Sequence, residues 1–196
     1  MNIKDYLKAG ASFVWLFVAN VFFVVTGLIM VPLAIPFRTA DYSVSDGRTI
    51  VNLPRWAYVW GNDFDGLLGD KRGWWAANTP FHLPVDHFFS MFMWAAIRNP
   101  ANNMRMLKMF QAPITNSTIT YIGDHIVQDD KGETGWQFVK TENAGNSWYG
   151  FYYIKPYKNG THAFVVRLGF KITPEHAGTV DLPKGFVTKI SFYKEL

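Results

Sequence analysis

Four side chains offer the strongest chemistry in the sequence: Asp63, Asp65, His82 and His87. The two carboxylates sit in Gly61-Asn-Asp63-Phe-Asp65-Gly66, where oxygen ligands alternate before a glycine. That pattern suggests a calcium loop, which needs acidic residues at both ends of twelve positions. Aligned on Gly66, the first position is Gly61 and the twelfth is Arg72, so both acidic ends are missing. Asp70 adds a carboxylate further on. Asx side chains at such spacing also cap their own turns. His82 and His87, with Asp86 between them, have the residue types for zinc or proton transfer. Pro84 separates the two histidines, so they do not share one helical face. Together the four residues define a metal-dependent hydrolase as the enzymatic reading. The incomplete ligand sets favour a protein that binds rather than catalyses, with no metal and no cofactor.

Other catalytic patterns fail on their spacing. Gly145-Asn-Ser147-Trp148 has Tyr149 where a nucleophile elbow needs glycine. Gly69-Asp-Lys71-Arg72 lacks the upstream glycine and the hydroxyl residue of a phosphate loop. There is no cysteine, which excludes disulfides, thiolate metal sites and cysteine nucleophiles. The net charge of +4 is scattered rather than gathered into a basic stripe, so nucleic acid is not the expected partner. Aromatics make up 17% of the chain, and several stand beside basic residues. Trp56, Trp60, Trp74, Trp75 and Trp94, with Arg98, Arg105 and Lys108, have the composition of a membrane interface. The same tryptophans would equally suit a core joining helices to a sheet.

The element that would position all of these comes first in the chain. Residues 9–37 carry no charged side chain, with Lys8 before and Arg38 after. A bilayer core needs roughly 20 apolar residues. Fifteen residues from 13 to 35 are Leu, Ile, Val or Phe. They contribute on the order of −5 to −9 kcal/mol towards insertion. The run is too long for the apolar part of a signal peptide, and Arg38 stands where a cleavage site wants a small residue. The sequence therefore predicts a retained single-pass anchor over 1–37, ending near Pro32 and Pro36. Gly10, Ser12 and Gly27 are its close-approach positions if it packs on other helices.

Residues 38–196 are predicted as one α+β domain. Asp46-Gly47 marks a small hairpin. The stretch 54–84 reads as ordered loop with short helices, and 85–98 as a helix apolar on most of its surface. Asn99-Pro100 opens a further amphipathic, basic helix. Residues 38–112 thus form a hairpin, loop and helical layer. From Pro113 the apolar period changes to two, which predicts an antiparallel sheet of about five strands over 113–196. Turns fall at 143–146 and at Asn159-Gly160.

Three patches together look familiar: Trp56-x3-Trp60-Gly-Asn-Asp63-x-Asp65-Gly66, Trp94-x3-Arg98-Asn-Pro100-x-Asn102-Asn103, and Arg167-Leu-Gly169-Phe-Lys171. They resemble a family of small tailed-bacteriophage proteins with an N-terminal hydrophobic segment and no established activity. Position 170 is Phe where that pattern has Trp. The resemblance implies a phage origin and the bacterial inner membrane, and gives no residue a catalytic role. The functional expectation is a membrane-anchored accessory protein that binds the lipid bilayer and a host or phage membrane protein. A structural subunit of a larger membrane assembly is a further alternative.

Overall fold

The computed structural model describes residues 1–43, 49–61, 66–70, 73–98, 104, 107–129 and 132–196. The fold is α+β. One long helix, α1 (Ile3–Ala34), opens the chain and closes in a 3-10 turn, Ile35–Phe37. Asn2 and Asp5 start α1 reciprocally. The Asn2 N–H donates to Asp5 Oδ2 at 2.9 Å, and the Asp5 N–H donates to Asn2 Oδ1 at 3.2 Å. This satisfies two amides that a helix start leaves open. The helix runs through Pro32 and ends within a turn of it, because proline removes a donor and crowds the preceding turn.

Next come β1 (Thr39–Ser43) and β2 (Thr49–Asn52), an antiparallel pair in the register Thr39↔Asn52. The Asp46-Gly47 turn expected between them lies outside the described residues. Short helices follow: α2 (Trp74–Ala77) and α3 (Phe88–Phe92), the latter continuing as a π-helix, Met93–Arg98. The helix expected after Asn99-Pro100 lies largely outside the described residues, and Lys108–Phe110 forms a 3-10 turn.

The remaining strands are β3 (Gln111–Ala112), β4 (Thr118–Gly123), β5 (Gly135–Asn143), β6 (Asn146–Tyr157), β7 (His162–Phe170) and β8 (Lys184–Glu195). They form a six-stranded antiparallel sheet ordered β3-β8-β7-β6-β5-β4. The sixth strand, absent from the sequence-based count, is the two-residue β3, too short to show a period. The β5–β6 turn is the tight Ala144-Gly145 pair, both at positive φ (47° and 79°), with Asn143 opposite Asn146. Left-handed backbone at both central positions matches the twist of a hairpin.

The chain divides into two compact units, Met1–Val18 with Lys108–Leu196, and Ala19–Leu107. In the first unit the opening turns of α1 pack on the sheet. Ala9, Phe138 and Tyr149 form a buried cluster with Phe13 and Phe151 against it. Asp5 Oδ1 lies 2.8 Å from Lys140 Nζ and accepts from the Tyr149 hydroxyl at 3.4 Å. Gly169 (φ 79°) is bare because a Cβ there would meet the Tyr149 carbonyl oxygen at 2.2 Å and the Phe13 ring at 2.3 Å. In the second unit Val31, Ala34 and Ile35 join Leu53, Ala57, Leu67, Met91, Ala95 and Ala96 in one core. Gly27 is the seat of the Trp60 ring, and the Trp60 indole N–H donates to Thr26 Oγ1 at 2.8 Å. Gly10, by contrast, faces open space.

Candidate membrane-facing surface

Between Val14 and Leu33, the residues that α1 leaves exposed are all apolar. Val14, Trp15, Phe17, Val18, Val21, Phe22, Val25, Leu28, Ile29 and Leu33 are each between 42% and 64% exposed. Their spacing of three and four places them along one side of the helix. Only 22% of the most apolar 18-residue stretch is buried. Ten large apolar side chains open along one side form a contiguous patch of a kind that soluble monomers rarely show. The helix is long and apolar enough to cross a membrane, a property that a signal sequence or a core helix can share.

Taken separately, each unit exposes further apolar side chains. In the second, Trp56 (52%), Trp74 (46%), Phe88 and Ile97 are exposed, and the Arg98 guanidinium lies 5.2 Å over the Trp74 ring. Phe81 is 84% exposed and holds a left-handed backbone (φ 56°), costly for a bulky residue. Its ring stacks near Phe89 at 6.2 Å. In the first unit, the sheet face that carries α1 continues into an uncovered region. Tyr153, Val166 and Ile190 lie across adjacent strands, and Phe164 contacts Phe192 at 5.4 Å. Ile190, Phe192 and Tyr193 are well exposed, and Lys158 sits 4.4 Å over the Tyr193 ring. Aromatic rings with polar handles beside lysines are the composition of a lipid interface.

The eight residues read from sequence as an interface divide between surface and core. Trp56, Trp74, Arg98 and Lys108 are exposed, and Trp60 is partly buried on Thr26. Trp75 and Trp94 are buried, 5.2 Å apart, and the Trp94 indole donates to the Gly66 carbonyl at 2.8 Å. Those two rings build the core rather than meet a surface. Arg105 lies outside the described residues.

Of the hydrolase residues, Asp63 and Asp65 also lie outside them. His82 is exposed at the end of a 3-10 turn, Pro80–His82. His87 is the N-cap of α3, its Nδ1 accepting from the Phe89 N–H at 3.2 Å. Asp70 is buried and accepts from the Trp74 N–H at the start of α2. Among the described residues, no group of three or more His, Asp or Glu is arranged to hold a metal.

The sheet's other face holds a polar cluster that no sequence signal marked. The Tyr152 hydroxyl donates to Asp129 Oδ1 at 2.5 Å, and Lys189 Nζ reaches Asp129 Oδ2 at 2.7 Å. Arg167 stacks 4.4 Å over the Tyr152 ring. Burial, and then Asp129, push the Tyr152 hydroxyl up to about 12. Burial would raise the Asp129 carboxyl, but bonds from Lys189 and Tyr152 outweigh it and hold it below the usual range. The cluster ties the segment before β5 to β6 and β8. The residues are 23 and 60 positions apart in sequence, which is why periodicity could not find them.

These features define an α+β protein whose longest helix keeps one side apolar and open. The chain belongs to the family of unknown function DUF7338, whose family model matches residues 4–196. No curated protein and no solved structure matches the chain significantly.

Proposed function

We propose that the protein works at a membrane, held there by the open side of α1, as a binding accessory protein rather than an enzyme. The single observation that carries this is the row from Val14 to Leu33, exposed, apolar and free of charge. Burying apolar surface in lipid is favourable by about 25 cal/mol per Å². The packed residues of α1 refine the reading. Asp5, Ala9 and Phe13 meet the sheet, so the first turns are not surrounded by lipid. Lipid takes the open side, and the chain's own residues take the other. The aromatic region of the sheet face, with Lys158, supports a second contact at the headgroup level. The resemblance to small phage proteins adds the bacterial inner membrane as the setting, with a host or phage membrane protein as the partner.

The test is Val18→Glu with Phe22→Glu and Val25→Glu, which leaves the core-facing residues intact. Each charge costs about 2.5–3.5 kcal/mol near a bilayer centre. Wild-type protein is expected to resist alkaline carbonate extraction, and the triple variant to be released while still folded. Wild-type protein soluble without detergent, or a triple variant still in the membrane, would sink the proposal.

A further inference from the structure

At one end of the sheet, wholly within the first unit, lies a cavity of about 400 Å³. Its walls are the Trp148 ring, Pro113 and Pro183, with Gln111, Asn146 and Lys108 among them. The volume is in the range of small-molecule sites, roughly 300–1,000 Å³.

The surrounding segments are locked together by other side chains. The Asn143 amide donates to the Thr115 carbonyl (3.3 Å), the Asn116 carbonyl (3.1 Å) and Ser117 Oγ (3.0 Å). Thr115 Oγ1 donates to the Asp181 carbonyl at 3.1 Å and accepts from the Asp181 N–H at 3.3 Å. Lys184 pairs with Asp181 at 2.5 Å. Asn143 therefore holds the 113–117 loop on the β5–β6 hairpin, and Thr115 holds 181–183 on that loop. The tight Ala144-Gly145 turn fixes Asn146 and Trp148 on the opposite strand.

Asn143 apart, the polar side chains inside take little part in this locking. The side chains of Lys108 and Gln111 and the Trp148 indole N–H make no hydrogen bond among the described residues, and the Asn146 amide makes one long bond to the Ala144 carbonyl at 3.5 Å. The site thus combines a flat apolar wall with donors not used in the locking: the Lys108 ammonium, the Gln111 and Asn146 amides and the Trp148 indole. No carboxylate lines it. A ligand that fits has an apolar ring face for the indole, hydroxyls for the amides and a negative charge for Lys108.

We propose that this cavity is a binding site for an acidic saccharide, a sugar ring bearing a carboxylate, with Trp148 as the stacking platform and Lys108 as the anion partner. Stacking on the indole selects the ring, and a rigid, pre-formed wall avoids the ordering cost that weakens binding. The site stands apart from the membrane reading, and its failure would leave that reading untouched.

The experiment uses the full chain in detergent micelles, labelled with 5-fluorotryptophan. The Trp148 resonance is assigned by its loss in Trp148→Phe. Glucuronate, glucose, acetate and benzoate are titrated in turn. The proposal expects the Trp148 resonance to shift saturably with glucuronate, at least tenfold more tightly than with glucose or acetate. Lys108→Ala should bring glucuronate down to the glucose level, and Asn146→Ala should weaken both sugars. The proposal is overturned by no saturable shift, by equal responses to acetate or benzoate, or by glucuronate binding unchanged in both Lys108→Ala and Asn146→Ala.

Discussion

Gly169 shows how a residue that looked like a family signature has a structural cause. It lies in the Arg167-Leu-Gly169-Phe-Lys171 patch, where the Phe13 ring of α1 crosses the sheet. A side chain there meets both that ring and the Tyr149 carbonyl, on a backbone that glycine alone adopts without strain. Gly169→Ala is therefore expected to cost about 1–3 kcal/mol in denaturant unfolding. An unchanged midpoint would mean that α1 does not rest there. His176 makes a second residue-scale case. Its Nδ1 accepts from the Thr173 N–H at 2.9 Å, a bond that needs the neutral ring. Burial, then Lys184, lowers its pKa, against an opposing pull from Asp181. A depressed folded-state value gives stability that is present above the unfolded value, about 6.5, and lost as pH falls through the folded one. Thermal stability should thus decline below about pH 6.5. His176→Asn, which keeps an acceptor without a titrating ring, should flatten that decline. Identical pH profiles for the two proteins would contradict this role.

At the scale of elements, α1 was legible in outline and not in detail. Its length and lack of charge were plain from sequence, and so was its end near Pro32. The asymmetry of its two sides was not. Ala9, Gly27, Val31 and Ala34 pack against protein, whereas Val18, Phe22 and Val25 do not, yet all are small or apolar. A pattern of apolar residues on every side cannot say which side meets a partner. Trp75 and Trp94 were ambiguous for the same reason, since a tryptophan serves a core or an interface equally well. The β-strands from β4 to β8 were readable because their alternation and turns are local, but β3, with two residues, offered no period. Asn143, Thr115 and Asp181 went unnoticed because their partners are 26 to 66 residues away. The packing of α1 leads to a prediction about the element itself. Removing residues 1–37 takes Ala9 and Phe13 from one core and Val31, Ala34 and Ile35 from the other. Residues 38–196 alone are expected to lose a cooperative melting transition. A sharp transition near that of the full chain would show that the helix is dispensable for folding.

For the whole molecule, the central claim is that one side of α1 meets lipid while the other meets protein. The sequence contains no cysteine, so single cysteines can be placed without background. The most direct measurement is a nitroxide scan over residues 17–30 of the full chain in anionic vesicles, reading collisions with oxygen against those with a water-soluble nickel complex. The account predicts oxygen accessibility with a helical period, highest at 18, 21, 22, 25 and 29 and lowest near 27, with nickel excluded from the maxima. Nickel reaching positions 18, 22 and 25 would contradict membrane contact, and uniformly high oxygen accessibility would contradict the one-sided packing.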